Sequence, residues 1–270
     1  MSDSAPETAR HPDGQISTEV RGKVFLIGID RPEKYNGFTP KMFEELADAY
    51  AELDNNDQLR VGILFAHGKH FTAGLDLPKF ADAMKAGEPI LPTNGIDPFS
   101  LNPPLRTTPV IAAMKGICYT AAIELMLASD IVISAKSARY SQLEVGRGVM
   151  AAAGATFRMV ERAGWGNAMK VLLTGYEFTA EEALRFNFIQ EIVDDGEEFN
   201  RALELAEEIA RQAPLAISAT LKSANTYYFD SPQAAVENFI PIMQELSNTE
   251  DAAEGVQSFI EKRPPVYTGR

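Results

Sequence analysis

Val110-Ile111-Ala112-Ala113-Met114, Lys115-Gly116-Ile117-Cys118-Tyr119-Thr120, Ala121-Ala122-Ile123-Glu124-Leu125-Met126-Leu127-Ala128 and Ile131-Val132-Ile133-Ser134 together decide the fold. The first and last pieces are short apolar runs with no wet face, the mark of strands buried on both sides. Between them a small-residue turn leads into a helix over 121–128. Strand, helix, strand is the building unit of an α/β protein.

Upstream the same logic repeats. Ile16 to Arg21, Gly22-Lys23 and Val24 to Ile29 read as a β-hairpin, ended by Asp30-Arg31-Pro32-Glu33 because proline lacks the N–H a ladder needs. Thr39 is an N-cap with Pro40 at the first helical position. The helix that follows places Met42, Phe43, Leu46, Tyr50 and Leu53 on one face, and Asn55-Asn56-Asp57 breaks it. Arg60 to Ala66 is another doubly buried strand. A loop from His67 to Asp76 leads to a short helix near Leu77 to Met84. The segment from Gly87 to Pro104 carries Pro89, Pro92, Pro98, Pro103 and Pro104 and little periodicity, so it is a long loop, with a lid and a plain surface loop as equal readings.

Downstream, Tyr140 to Val145 reads as an extended piece, and from Gly154 the pattern is helical except for a brief strand near Phe188 to Val193. Phe199 to Gln212, Pro214 to Tyr227, Pro232 to Ser247 and Glu250 to Lys262 are four helix candidates. No fixed-period repeat emerges. The expected organisation is a disordered arm over 1–14, an α/β core over 15–195 and a helical region over 196–270.

The bulk composition bounds the function. At 270 residues and 45% hydrophobic, the chain can bury a sizeable core. A formal charge of -13 argues against nucleic acid and anionic membrane as main partners, since both call for basic surface. No apolar run approaches the roughly 20 residues of a membrane span, and the polar first 14 residues do not read as a secretory signal. Cys118 is the lone cysteine, so no intrachain disulfide forms. This fits a reducing, cytoplasmic setting, with Cys118 as a small buried hydrophobe.

Three constellations could carry chemistry. Phe71-Thr72-Ala73-Gly74-Leu75-Asp76-Leu77 joins a strand to a helix. Gly74 lets the backbone turn sharply, so that free N–H groups at the next helix start suit a developing oxyanion. Lys115 to Leu125 offers a second such set, with Glu124 in the first helical turn. Ser141-Gln142-Leu143-Glu144-Val145-Gly146 places Glu144 among apolar neighbours, where burial would raise its pKa. Each has a plainer reading: a strand-to-helix turn capped by Asp76, an acid favoured by the helix dipole, and an exposed acid in an acidic protein. His67 and His70 lack a third ligand motif, so no metal site is expected.

Taken in order, these residues resemble the crotonase, or enoyl-CoA hydratase/isomerase, superfamily over about Lys23 to Tyr267. The landmarks are Asp30-Arg31-Pro32-Glu33-Lys34-Tyr35-Asn36, the Phe71 to Leu77 loop, Glu124 to Asp130, Leu143-Glu144-Val145-Gly146, Leu173-Thr174-Gly175, Ala180-Glu181-Glu182-Ala183, and Glu254-Gly255 through Phe259-Ile260-Glu261-Lys262-Arg263. The resemblance implies an α/β fold, a spiral of ββα units, with a C-terminal helical region for CoA contact and assembly as a trimer or dimer of trimers. It implies that Leu75 and Ala121 form the oxyanion hole for an acyl-CoA thioester and that Glu124 and Glu144 are catalytic. Lys34, Ala73, Asp76, Leu77, Phe259 and Lys262 would contact CoA, the last two commonly across a subunit contact. No cofactor beyond the CoA moiety, and no metal, is implied.

Hydration of a 2-enoyl-CoA is the leading expectation, with Glu124 and Glu144 holding water between them. Double-bond isomerisation, hydrolysis or C–C cleavage on an acyl-CoA, or a catalytically silent CoA-binding role, are the alternatives. Two departures from the family pattern stand out. The turn before Glu124 commonly carries glycines but here reads Thr120-Ala121-Ala122-Ile123, which adds strain wherever φ is positive. Arg147 to Gly154 replaces a Pro-Gly-containing turn at the acyl end of the pocket, which leaves the acyl group open.

Overall fold

A computed structural model describes residues 11–92 and 95–270. The hairpin of β1 (Gln15–Arg21) and β2 (Val24–Asp30) opens the chain, and a single 3₁₀ turn at Pro32–Lys34 follows it. Helix α1 (Pro40–Asn55) starts where Thr39 Oγ1 accepts a hydrogen bond from Met42 N–H at 3.3 Å. Its five expected apolar residues are all buried. Next come β3 (Val61–Ala66), α2 (Leu77–Ala86), β4 (Val110–Met114), β5 (Ile117–Tyr119), α3 (Ala121–Ala128), β6 (Ile131–Ala135) and β7 (Arg139–Ser141). After a 3₁₀ turn at Glu144–Arg147 come α4 (Ala155–Ala163), α5 (Trp165–Thr174), β8 (Phe178–Thr179), α6 (Ala180–Arg185), β9 (Glu191–Val193) and α7 (Glu198–Ala210). Helices α8 (Pro214–Phe229), α9 (Pro232–Ser247) and α10 (Glu250–Glu261) complete the chain.

The large sheet runs β1-β2-β3-β4-β6-β9, antiparallel at the hairpin and parallel from β2 onward. Each return of the chain therefore advances one strand in the same direction. A second, small sheet, β5-β7-β8, accumulates beside it. Isolated bridges pair Thr72 with Cys118 and Phe38 with Leu75, extending this second layer back toward α1. One circuit is thus a long strand, a short extended piece and a helix: β3, Thr72, α2; then β4, β5, α3; then β6, β7, α4. This is the ββα spiral.

Alternation explains the apolar runs. Val24, Leu26, Val61, Ile63, Ile111, Ala113 and Ile133 face α7, whose Ala202 and Ala206 are small enough to let it lie close. Phe25, Ile27, Ile29, Leu64, Val110 and Ala112 face α1 and α3 on the other side. Burying one such large side chain stabilises the fold by roughly 1.5–3 kcal/mol, so a one-residue slip of any central strand is heavily disfavoured.

Several sequence expectations need correction. The chain is not extended from Tyr140 through Val145: β7 stops at Ser141 and Glu144 opens a 3₁₀ turn. Ile117–Tyr119, read as part of a turn, is a strand, and the strand expected near Phe188 is confined to Glu191–Val193. Of the arm expected over 1–14, residues 1–10 lie outside those described. Residues 11–14 form a turn in which Gly14 N–H donates to His11 carbonyl at 2.8 Å. No helix among the described residues is long and apolar enough to cross a membrane.

Candidate active site

The spiral brings the β3–α2 and β4–α3 circuits together at their strand-to-helix turns. Tyr119 N–H donates to Thr72 carbonyl at 3.0 Å, and Thr72 N–H donates to Ile117 carbonyl at 3.2 Å. In the first turn, Gly74 has φ +99°, a conformation open to glycine at little cost. Its N–H is held by Thr72 Oγ1 at 3.0 Å and its carbonyl by Phe38 N–H at 2.8 Å. Asp76 N–H donates back to Phe38 carbonyl at 2.9 Å. Leu75, between them, has an N–H with no acceptor among the described residues. In the second turn, Thr120 N–H donates to Ser141 carbonyl at 2.9 Å, and Ile123 N–H to Thr120 carbonyl at 2.8 Å. Ala121, the first residue of α3, likewise has an N–H without an acceptor among the described residues, as helix geometry dictates for a first-turn donor.

Thr120 sits at φ 51°, ψ −110°. For a β-branched residue this is strained backbone, a cost on the order of 1–3 kcal/mol that the surrounding bonds must hold. Its side chain packs against Gly74: a Cβ there would fall 1.8 Å from Thr120 Oγ1. The glycine in one turn is required by the threonine in the other.

The two acids converge on the same place. Glu124 is 4% exposed. Its Oε1 accepts from Ala153 N–H at 2.7 Å and Ala155 N–H at 3.2 Å. Burial pushes its pKa up to about 7 against these donors, and the nearby Glu144 carboxyl adds to the rise. Burial also raises the pKa of Glu144, whose Oε1 accepts from the Gln142 amide at 3.0 Å. Its Oε2 is buried with no protein partner. A carboxyl poised near neutrality can take or give a proton at working pH.

Leu75, Ala121, Glu124 and Glu144 all line one cavity of about 280 Å³, together with Ala73, Leu77 and Thr120. Met84, Ile90, Leu91 and Phe99 form an apolar wall, and Val149, Met150 and Arg147 form the side beyond Glu144. The long loop therefore contributes wall. Asp97 braces it from within, accepting from the N–H groups of Phe99, Leu101 and Asn102 at 2.9–3.1 Å, and Arg158 of α4 ties it to the core by donating to Ser100 carbonyl at 3.0 Å.

The remaining expected contacts divide. Asp76 pairs with Arg31 Nη1 at 2.8 Å and makes no side-chain cap, which corrects its reading as a capping residue. Lys34 ends the exposed 3₁₀ turn, next to Tyr35, whose carbonyl accepts from Ala73 N–H. Phe259 is 84% exposed near the end of α10, and Lys262 caps that helix; within one chain neither reaches the cavity wall. His67 Nε2 lies 2.8 Å from Ser17 Oγ, and His70 Nδ1 accepts from Ile117 N–H at 3.1 Å. Among the described residues no three metal-ligating side chains come together. Cys118 is fully buried and its thiol pKa is pushed up, as suits a packing role.

The strain expected of the Thr120 to Ile123 turn falls on Thr120, at φ 51°, but sequence reasoning missed its side chain and the backbone of Ala153 and Ala155 as parts of the site. A peptide N–H carries no sequence signal at all. Arg158 was missed too. It is buried beneath Glu124, donates to Ser100 carbonyl at 3.0 Å and partly offsets the rise in the Glu124 pKa.

With this geometry in place, comparison with known proteins is informative. The profile of the enoyl-CoA hydratase/isomerase family matches residues 19–270. An enoyl-CoA hydratase of Mycobacterium tuberculosis is 30% identical over 263 residues, covering 96% of this chain and 97% of that protein. A mevalonyl-coenzyme A hydratase of Beauveria bassiana is 32% identical over 254 residues, covering 90% of this chain and 91% of the other. The crystal structure of a probable enoyl-CoA hydratase/isomerase from Mycobacterium abscessus superposes with a TM-score of 0.91 at 41% identity, covering 94% of this chain and 98% of that one.

Proposed function

The chain belongs to the enoyl-CoA hydratase/isomerase family of the crotonase superfamily, and on that premise we propose that it adds water across the 2,3 double bond of an acyl-CoA thioester. The observation that carries this reading is the convergence of two unpartnered peptide N–H groups, one buried carboxyl and one half-buried carboxyl on one cavity. The thioester oxygen lies between Leu75 and Ala121 N–H, which draw charge onto it and leave the β-carbon electrophilic. One such donor is worth roughly 3–4 kcal/mol of barrier in other enzymes. Glu124, held by Ala153 and Ala155, takes a proton from water as its oxygen bonds to the β-carbon. Glu144 gives its proton to the α-carbon of the resulting enolate, and the two carboxyls then re-equilibrate through the cavity.

Two carboxyls favour hydration over isomerisation, because a 1,3-proton shift can be run by a single acid that delivers the proton it removes. The apolar wall of Met84, Ile90, Leu91 and Phe99 suits the acyl chain. Lys34, Ala73, Asp76 and Leu77 would follow the CoA moiety. Phe259 and Lys262 would reach it from a neighbouring copy in a homotrimer or dimer of trimers. The exposed apolar residues Val236, Phe239, Ile240 and Met243 on α9 support such assembly.

The test is loss of the conjugated-thioester absorbance when a panel of 2-enoyl-CoA chain lengths is incubated with the protein, with products identified by mass spectrometry. A 3-hydroxyacyl-CoA product supports the reading. A panel left intact, or conversion to a 3-enoyl-CoA alone, rejects it.

A further inference from the structure

The hydroxyl of Thr120 is unaccounted for by two N–H donors and two acids. Thr120 lines the cavity. Its residue directly precedes Ala121, and its Oγ1 packs against Gly74, which directly precedes Leu75. The hydroxyl is therefore placed beside both peptides that carry the free N–H groups. Among the described residues it has no hydrogen-bond partner, although a hydroxyl can donate once and accept twice.

Its backbone points the same way. The residue is held at φ 51°, ψ −110° by hydrogen bonds on both sides, Thr120 N–H to Ser141 carbonyl and Ile123 N–H to Thr120 carbonyl. Glycine would adopt that conformation without strain, and in this fold it would also remove the crowding at Gly74. A strained β-branched residue that forces a glycine opposite it, and that carries an unpartnered hydroxyl at a cavity-lining position, has the character of a functional compromise.

We propose that the Thr120 hydroxyl is a third donor in the oxyanion hole, bonding the thioester oxygen alongside Leu75 and Ala121 N–H. The inference rests on the acyl-CoA reading above and goes beyond it by assigning a side chain to a hole otherwise built from backbone. A side-chain donor can rotate, so it serves the developing enolate oxygen while leaving the ground-state carbonyl to the fixed N–H pair. That predicts an effect on kcat more than on KM.

The experiment compares Thr120→Val, which keeps shape and β-branching but loses the hydroxyl, with Thr120→Ser, which keeps the hydroxyl. Each is checked for folding by thermal melting. Two readouts are taken: hydration kinetics on the best 2-enoyl-CoA, and the absorbance red shift of a bound conjugated dienoyl-CoA, which reports carbonyl polarisation without turnover. The expected result for T120V is a kcat lower by about 10²- to 10³-fold, a nearly unchanged KM and a smaller red shift, with T120S close to the parent in all three. A T120V that matches the parent in kcat and red shift overturns the proposal. So does a T120S that loses as much as T120V. Should the parent protein shift the dienoyl band yet add no water, the hydration reading fails while a reduced shift in T120V still supports the third donor.

Discussion

The turns at 72–77 and 118–124 occupy matching places in consecutive circuits of the spiral, yet they are built from different material. The first uses glycine at positive φ and ends in an acid, Asp76, that is tied up with Arg31. The second uses threonine at positive φ and ends in an acid, Glu124, that faces the cavity with its pKa raised to about 7. One turn is cheap to form and spends its carboxylate on structure. The other is strained and leaves its carboxyl facing the cavity, free for the role proposed above. Both contribute an unpartnered N–H, so the shared property belongs to the fold and the differing properties to the side chains.

The largest effect should come from the acids. Glu124→Gln keeps an oxygen for Ala153 and Ala155 N–H but removes the proton acceptor, so kcat for hydration should fall by about 10²- to 10⁴-fold. Asp76→Asn, its counterpart in the other turn, should leave kcat nearly intact; equal losses would break the contrast. The stability sign also differs. Because burial raises the Glu124 pKa, folding favours its protonated form. Its stabilising contribution is complete below the ordinary carboxyl range and is lost as pH rises through about 7. E124Q should therefore gain melting temperature relative to the parent at pH 8 and lose that advantage at pH 5.

Next in size is Gly74→Ala. The new methyl meets Thr120 Oγ1 and the residue is held at positive φ, so stability should drop by about 2–4 kcal/mol in denaturant titration. Adding Thr120→Gly should recover part of that loss. A coupling of about 1–3 kcal/mol in the double-mutant cycle would show that the two turns are matched to each other, and additive losses would show that they are not. Smallest is the structural price of Asp76→Asn, about 1–2 kcal/mol in the same titration, since Arg31 keeps its bond to Gly37 carbonyl when the carboxylate is neutralised.

Much of this was legible in the chain. β2, β3, β4 and β6 lie within a residue or two of where their apolar runs put them, because strands buried on both faces leave no ambiguity of face. Thr39-Pro40 marked the start of α1 for a local reason, a cap and a preset φ. The repeat of the spiral was legible only through the family resemblance and not in the spacing of the residues. Its second layer consists of two- and three-residue strands such as Phe178–Thr179 and Ile117–Tyr119, too short to show a period. The long 87–104 loop further upsets the spacing between circuits. Glu124 and Glu144 were picked out as candidates and both line the cavity, but their setting was not legible: the turn that carries Glu144 and the N–H groups that hold Glu124 come from backbone geometry. Met84, Ile90, Leu91 and Phe99 share a wall only because the loop folds back, which no periodicity records.

The bridge between Thr72 and Cys118 sets a length. Neighbouring strands lie about 4.8 Å apart whatever their sequence, and Leu75 and Ala121 each follow the bridged pair by three residues. If that spacing persists, an oxygen about 2.9 Å from each nitrogen sits symmetrically between them. The gauge of the proposed hole is then inherited from the peptide ladder itself, so drift in side chains could change what is transformed without resetting where a carbonyl would be gripped.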